Sequence, residues 1–159
     1  MPIDQNELRR VMGHFATGVT VITTISNDGK HYGLTANAFT SVSLEPPLLL
    51  ISVDKKAESY PLFARSRVFA VNILTQKQET LSRRFAKSGG EKFEGVGYRA
   101  GATGAPILEG ALAHLECEIR HEFDAGDHTI FVGVAVEIGA EDAEEPLLYF
   151  RGGYRNLGA

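Results

Sequence analysis

Two long runs, "ALAHLECEIRHEF" from Ala111 and "HTIFVGVAVEIGA" from His128, stand on either side of the short connection "DAGD". Both alternate or are rich in β-branched residues, so both read as strands. A parallel crossover needs about a dozen residues or more, so a link this short makes the pair antiparallel. The other strand-like segments have the same grain. "VTVITTI" and "HYGLTANAF" flank "SNDGK", whose Asp28-Gly29 is turn chemistry, and they form a hairpin rather than a βαβ crossover. "LLLISV" follows Pro46-Pro47 as a buried strand, "RVFAVNIL" alternates, and "LLYFRGGY" comes last after the acidic turn "EDAEEP". Long antiparallel strands leave long unpaired edges, and closing the sheet on itself removes them. The pattern predicts a mainly β protein, a small β-barrel.

Three helices are expected around it. In "IDQNELRRVMGHFATG", Asp4 precedes Glu7 at the spacing of a capping box, and Leu8, Val11, Met12 and Phe15 recur at helical intervals up to Gly18. "DKKAESYPLFARS" is expected to begin a helix at Asp54 that carries Tyr60, Leu62, Phe63 and Ala64. "TQKQETLSRRFAKSGG" repeats the capping-box spacing at Thr75 and Gln78 and ends on a glycine pair. From Ser88 to Gly110, glycines and weak periodicity predict a long surface loop. Length and pattern fit a single domain over 1–159.

Charge excludes some functions. The net charge is -4, so no basic face is expected to hold a phosphate backbone, and nucleic acid is not an expected partner. "MPIDQNELRR" lacks an apolar h-region and the longest apolar run is too short for a bilayer, which predicts no membrane association and a cytoplasmic location. Cys117 is the one cysteine, which rules out an internal disulfide and a multi-thiolate metal site. Alternation puts Leu115, Cys117, Ile119 and His121 on one face and His114, Glu116, Glu118 and Arg120 on the other. His114 and Cys117 therefore do not converge on a metal, and Cys117 reads as core.

"GVGYRA" has the letters of a dinucleotide fingerprint, but "EKFE" before it is no hydrophobic strand and "GATGAP" after it is no helix. There is no G-x-S-x-G elbow, P-loop, H-E-x-x-H or EF-hand loop, so hydrolysis and phosphoryl transfer have no support. Chemistry carried by a bound cofactor needs none of these. "TANAFTSVSLEPP" suits that case. Its small residues give up packing area, let backbone N–H groups approach a planar ligand, and leave Thr35, Asn37, Thr40 and Ser41 as polar groups around it. A polar-faced edge strand would have the same composition.

"HFATGVTVITT", "GLTANAFTSVSLEPPLLLISV", "FAVNIL", "LSRRFA", "KFEGV", "GAPILEGALAHLECEI", "GDHTIFVG" and "PLLYFRGGY" follow one another as in the flavin reductase-like family, which the chain resembles from about Val11 to Tyr154. The resemblance implies a split β-barrel homodimer of the FMN-binding type. It implies FMN or FAD as the flavin, NADH or NADPH as co-substrate, and transfer of reduced flavin to a separate oxygenase. By position, Thr35, Ala36, Asn37 and Ala38 would line the isoalloxazine. Ser41, Asp54, Lys55 and Ser59 would fall at the ribityl and phosphate, with Arg84, Phe85 and Lys92 closing over the tail. His128, in "GDH", would face the nicotinamide, and Tyr154, in "RGGY", would flank the same pocket or cap the barrel. By local pattern alone, Gly126-Asp127 is a hairpin turn with His128 opening the next strand.

Two positions depart from the family pattern. Ala38 stands where a serine is common, removing a hydroxyl, and Asp54 beside a phosphate would be repulsive unless it caps the chain instead. Other outcomes compatible with a bound flavin are reduction of another acceptor (ferric iron, a corrinoid, a quinone) and electron carriage without NAD(P)H oxidation.

Overall fold

The computed structural model describes residues 1–158. Its elements in order are α1 (Gln5–Met12), β1 (Thr17–Gly18), β2 (Thr20–Ile25), β3 (His31–Ala36), β4 (Phe39–Ser43), β5 (Leu48–Asp54) and α2 (Tyr60–Ser66). Then come β6 (Val68–Ile73), α3 (Glu79–Phe85), β7 (Tyr98–Ala100), β8 (Pro106–Leu108), β9 (Ala113–Ala125), β10 (His128–Ala140), β11 (Leu148–Phe150) and β12 (Gly153–Arg155).

Seven strands form one antiparallel sheet in the order β3-β2-β6-β9-β10-β5-β4. The outermost strands, β3 and β4, are consecutive in the chain and separated only by Asn37 and Ala38. Two residues reach about 7 Å at most, so the end of β3 and the start of β4 lie close together and the two ends of the strand order meet there. The sheet is rolled into a barrel, and the line between β3 and β4 is its split. The β4–β5 ladder runs one step past Phe39 into the join, where the Ser52 N–H on β5 donates to the Ala38 carbonyl at 3.1 Å.

The long hairpin forms as expected. β9 and β10 pair from Ala125–His128 to Ala113–Ala140 around Gly126-Asp127, with Gly126 at φ +66°. Gly133 is needed for packing, since a Cβ there would lie 2.8 Å from both the Cys117 Cβ and the Phe69 ring. Cys117 is buried in the barrel interior with Ile22, Ile51, Phe63, Phe69 and Phe131. Burial, and after it the charge of Glu116, pushes its thiol up to about 12, which leaves it a core residue without thiolate character.

Several sequence expectations shift. The first helix does not reach Gly18: it stops at Met12, and Thr17–Gly18 pairs with Leu148 and Tyr149 as a strand. Asp4 does cap it, accepting from the Glu7 N–H at 2.9 Å. The second helix starts at Tyr60, because Asp54 ends β5 and its carboxylate closes the following turn by accepting from the Lys56 N–H at 2.8 Å. The third opens with a 3₁₀ turn at Gln76–Gln78, where the Thr75 N–H donates to the Gln78 side chain at 3.0 Å. The glycine-rich segment contains a hairpin, β7 with β8. "LLYFRGGY" folds back on itself at Arg151-Gly152, both at positive φ, to give β11 and β12.

The β7–β8 hairpin explains why β2 is buried on both faces from Thr20 to Thr24. Val21 packs in a second core with Val19, Leu74, Phe85, Leu108 and Leu147. The polar groups on that face are satisfied by the hairpin: the Thr23 hydroxyl donates to the Pro106 carbonyl at 2.6 Å, and the Leu108 N–H donates to Asn72 Oδ1 at 2.9 Å. Among the described residues, no helix is long and apolar enough to cross a membrane.

Candidate functional site

The split in the barrel opens into a cleft of about 440 Å³, within the range of small-molecule sites. One wall is the end of β3 and the seam, Thr35 to Ala38; opposite lie Ser52 and Asp54 of β5 and the turn to Ser59. The end of α3 with Phe85 to Ser88, then Lys92 and His128, complete it.

The seam's hydrogen bonding is one-sided. The Ala36 carbonyl accepts from the Thr20 hydroxyl at 2.7 Å, the Asn37 carbonyl from the Phe39 N–H at 3.0 Å, and the Ala38 carbonyl from Ser52. The N–H groups of Asn37 and Ala38 donate to no backbone carbonyl among the described residues. Both residues are exposed, so water satisfies those donors until a ligand displaces it. Acceptors are occupied and donors are free, which favours a ligand edge that is electron-rich.

Charge has the same sense. Lys56, Lys87 and Lys92 line the cleft against Asp54 and Glu58. Lys92 is half-buried and donates to the carbonyls of Gly33 and Phe85, each at 3.3 Å. Burial lowers its pKa, partly offset by the charge of Glu58. Ser59 is 5% exposed and its side chain makes no capping bond to α2. Phe85 is fixed as a wall, because Gly33 passes its ring so closely that a Cβ would stand 2.8 Å away.

Of the residues singled out in the sequence, Thr35, Ala36, Asn37, Ala38, Asp54, Ser59, Phe85, Lys92 and His128 are brought together here. Thr35 is committed to the fold, since its hydroxyl donates to the Ser82 carbonyl at 2.6 Å. Ser41, Lys55, Arg84 and Tyr154 do not line the cleft. Ser41 is exposed on β4 opposite Leu49. Lys55 ties down the β9–β10 turn through Asp124 and the Gly126 carbonyl. Arg84 donates to the carbonyls of Lys92 and Glu94 and so holds the loop that carries Lys92. The Tyr154 hydroxyl is 2.6 Å from the Ser82 hydroxyl, beside Tyr149, so this residue braces α3.

His128 sits at the cleft rim with Nδ1 2.7 Å from Asp127 Oδ1. That hydrogen bond, with the charge of His128, holds the Asp127 carboxyl below its usual range. Ser52, Lys56, Glu58, Lys87 and Ser88 line the cleft as well and were not foreseen. Ser52 carried a signal, since alternation in "ISVD" puts it on one face with Asp54.

The flavin reductase like domain model matches residues 12–158. A flavin reductase from Pseudomonas putida is 39% identical over 157 residues, 99% of this chain and 92% of that protein. The reductase subunit HsaB of a flavin-dependent monooxygenase from Rhodococcus jostii is 39% identical over 98% of this chain and 79% of its own length. The NADH:FAD oxidoreductase SgcE6 of Streptomyces globisporus, solved with NAD and FAD fragments, superposes with a TM-score of 0.93 at 42% identity, covering 98% of this chain and 93% of that one. With its rolled sheet, split seam and cleft, the chain belongs to the flavin reductase-like domain family.

Proposed function

We propose that the protein is an NAD(P)H:flavin oxidoreductase that delivers reduced FMN or FAD to a separate oxygenase. The observation that carries this reading is the seam, where the Asn37 and Ala38 N–H groups are unengaged while the neighbouring carbonyls are all occupied. A flavin fits such a site: the N1–O2 side of its ring is electron-rich and its tail is anionic, matching free donors at one end and Lys92 with Ser59 at the other. When bound, the flavin supplies the redox chemistry by accepting a hydride from the nicotinamide.

The chain's own residues do the rest. Ala36 and Ala38, with no bulk beyond Cβ, keep the floor flat, and the seam donors favour negative charge on the ring. Phe85 shields one side from water. His128 at the rim is placed to hold the nicotinamide carboxamide, an orienting role worth several kcal/mol in general when reacting atoms approach to about 3–3.5 Å. Two copies are proposed to form a homodimer, since Met12 and Phe15, both exposed, line an open hollow that also includes Asn37 and Ala38. Closing that hollow with a second subunit would dry the seam.

Anaerobic stopped-flow mixing of protein and FMN or FAD with NADH, and separately with NADPH, tests the proposal through loss of the oxidised-flavin band. Bleaching well above the protein-free control is expected. Flavin that binds without bleaching would make the protein a carrier, and absence of binding would overturn the reading.

A further inference from the structure

A cleft suited to an anionic ligand carries two carboxylates of its own, Asp54 and Glu58. Asp54 is committed to the fold, since it accepts the Lys56 N–H in the turn after β5. Glu58 closes no turn. It is exposed between β5 and α2, immediately before the buried Ser59, and lines the cleft together with Ser59, Ser88 and Lys92. Its carboxylate reaches the loop that leaves α3, accepting from the Gly89 N–H at 2.8 Å. A free carboxylate therefore stands where the cleft gathers its groups for a phosphate.

Lys92 shows the effect of that charge. Of the three lysines that line the cleft it is the half-buried one. Its ammonium bonds only the Gly33 and Phe85 carbonyls, each at 3.3 Å, and it joins no ion pair among the described residues. Burial lowers its pKa, and the charge of Glu58 works against that shift, so the two groups act on each other through space rather than in contact. A charge that attracts the lysine at this range repels an anion placed beside it.

We propose that Glu58 is a counter-charge that weakens the cleft's hold on the phosphate end of the flavin and so speeds its release. The proposal rests on the flavin oxidoreductase reading, in which Lys92 and Ser59 take the tail. A phosphate monoester carries about 1.5 to 2 negative charges at neutral pH, so it competes with Glu58 for Lys92 and is repelled by the same carboxylate. The ring is unaffected, because the seam donors that face it lie on the β3–β4 join. A protein that hands reduced flavin to another must let it go, and affinity differences within one site appear mainly in the dissociation rate.

Quenching of flavin fluorescence at low ionic strength measures Kd for FMN and for riboflavin, which has the same ring and no phosphate, in wild type, Glu58→Gln and Glu58→Asp. Stopped-flow dilution gives the dissociation rate of FMN. Glu58→Gln keeps an oxygen for the Gly89 N–H and removes the charge. It is expected to bind FMN about five- to tenfold more tightly, with dissociation slowed in proportion and riboflavin affinity unchanged. The gain should shrink at high salt, and Glu58→Asp, which keeps the charge, should stay within about twofold of wild type. Unchanged riboflavin binding also reports an intact fold. FMN affinity unmoved by Glu58→Gln would refute the counter-charge, and weaker binding would make Glu58 a latch that keeps the flavin in. Equal tightening for riboflavin, or the same tightening in Glu58→Asp, would refute it as well, and each of these results leaves the flavin reading standing. Failure of wild type to bind either flavin would remove the parent reading and the counter-charge together.

Discussion

His128 and Ala36 divide the work of the site, and single substitutions separate their roles. His128 lies at the rim, held by Asp127 and clear of the seam. His128→Ala is expected to lower kcat/KM for the nicotinamide substrate by about ten- to a hundredfold, the cost of losing one positioning contact, with flavin Kd nearly unchanged. Steady-state kinetics beside a flavin titration checks this, and unaltered kinetics would remove His128 from the site. Ala36 lies in the floor with its carbonyl fixed by Thr20. Ala36→Leu is expected to weaken flavin binding by more than about tenfold with circular dichroism reporting a retained fold, since a leucine adds three carbon atoms at a position that both lines the cleft and packs against the barrel core. Normal flavin affinity in a folded Ala36→Leu protein would sink the assigned floor.

At the level of elements, the β7–β8 hairpin is clasped to the sheet by one buried carboxylate. Glu116 of β9 is fully buried, accepting from the Ala102 N–H at 3.1 Å, the Thr103 N–H at 2.9 Å and the Thr103 hydroxyl at 2.8 Å. Burial by itself raises its pKa, but these donors and the charge of His114 outweigh it, and the net shift is downward. A lowered pKa means stability that is present above the unfolded value, near 4.5, and is lost as pH falls through the folded one. Thermal unfolding should show Tm falling more steeply below about pH 4.5 in wild type than in Glu116→Gln. At neutral pH the variant, which turns an amide donor toward an N–H, should melt about 3–10 °C lower. Identical pH profiles would show that the clasp is not ionic. This element also marks where sequence pattern stopped. The capping spacings at Asp4 and Thr75 and the length of the β9–β10 runs are local signals, and the structure follows them. Glu116 alternates as a solvent-facing residue and is buried because a hairpin from elsewhere in the chain lies over that face. The site divided in the same way. Thr35 and Asn37 stand out by the composition of their stretch and Ala36 and Ala38 through family resemblance, whereas Lys87 and Ser88 line the cleft because α3 ends beside the seam, which no spacing in "FAKSGG" encodes.

For the whole molecule, the apolar residues of α1 and of the turn that follows it are left uncovered in a single chain. Leu8, Val11, Met12 and Phe15 keep helical spacing, yet they are 50–75% exposed, and Phe15 and Met12 border the hollow next to the seam. Light scattering after size exclusion should give twice the 17.3 kDa subunit mass. Phe15→Arg should shift the population toward the subunit mass and weaken flavin binding at the same time, because burying an unpaired guanidinium costs several kcal/mol. A wild-type peak at the subunit mass would refute the dimer.

The two-residue join between β3 and β4 also has a meaning in time. Hairpins β2–β3, β4–β5 and β9–β10 can zip locally, but the two edges of the sheet close up beyond the join only after every intervening strand is in place. Those intervening pairings, β6 with β9 and β5 with β10, span large sequence separations, and ladders of that kind form slowly. The floor of the cleft is therefore among the last features to exist in a refolding chain, and recovery of flavin quenching follows the closing step of folding rather than the first collapse.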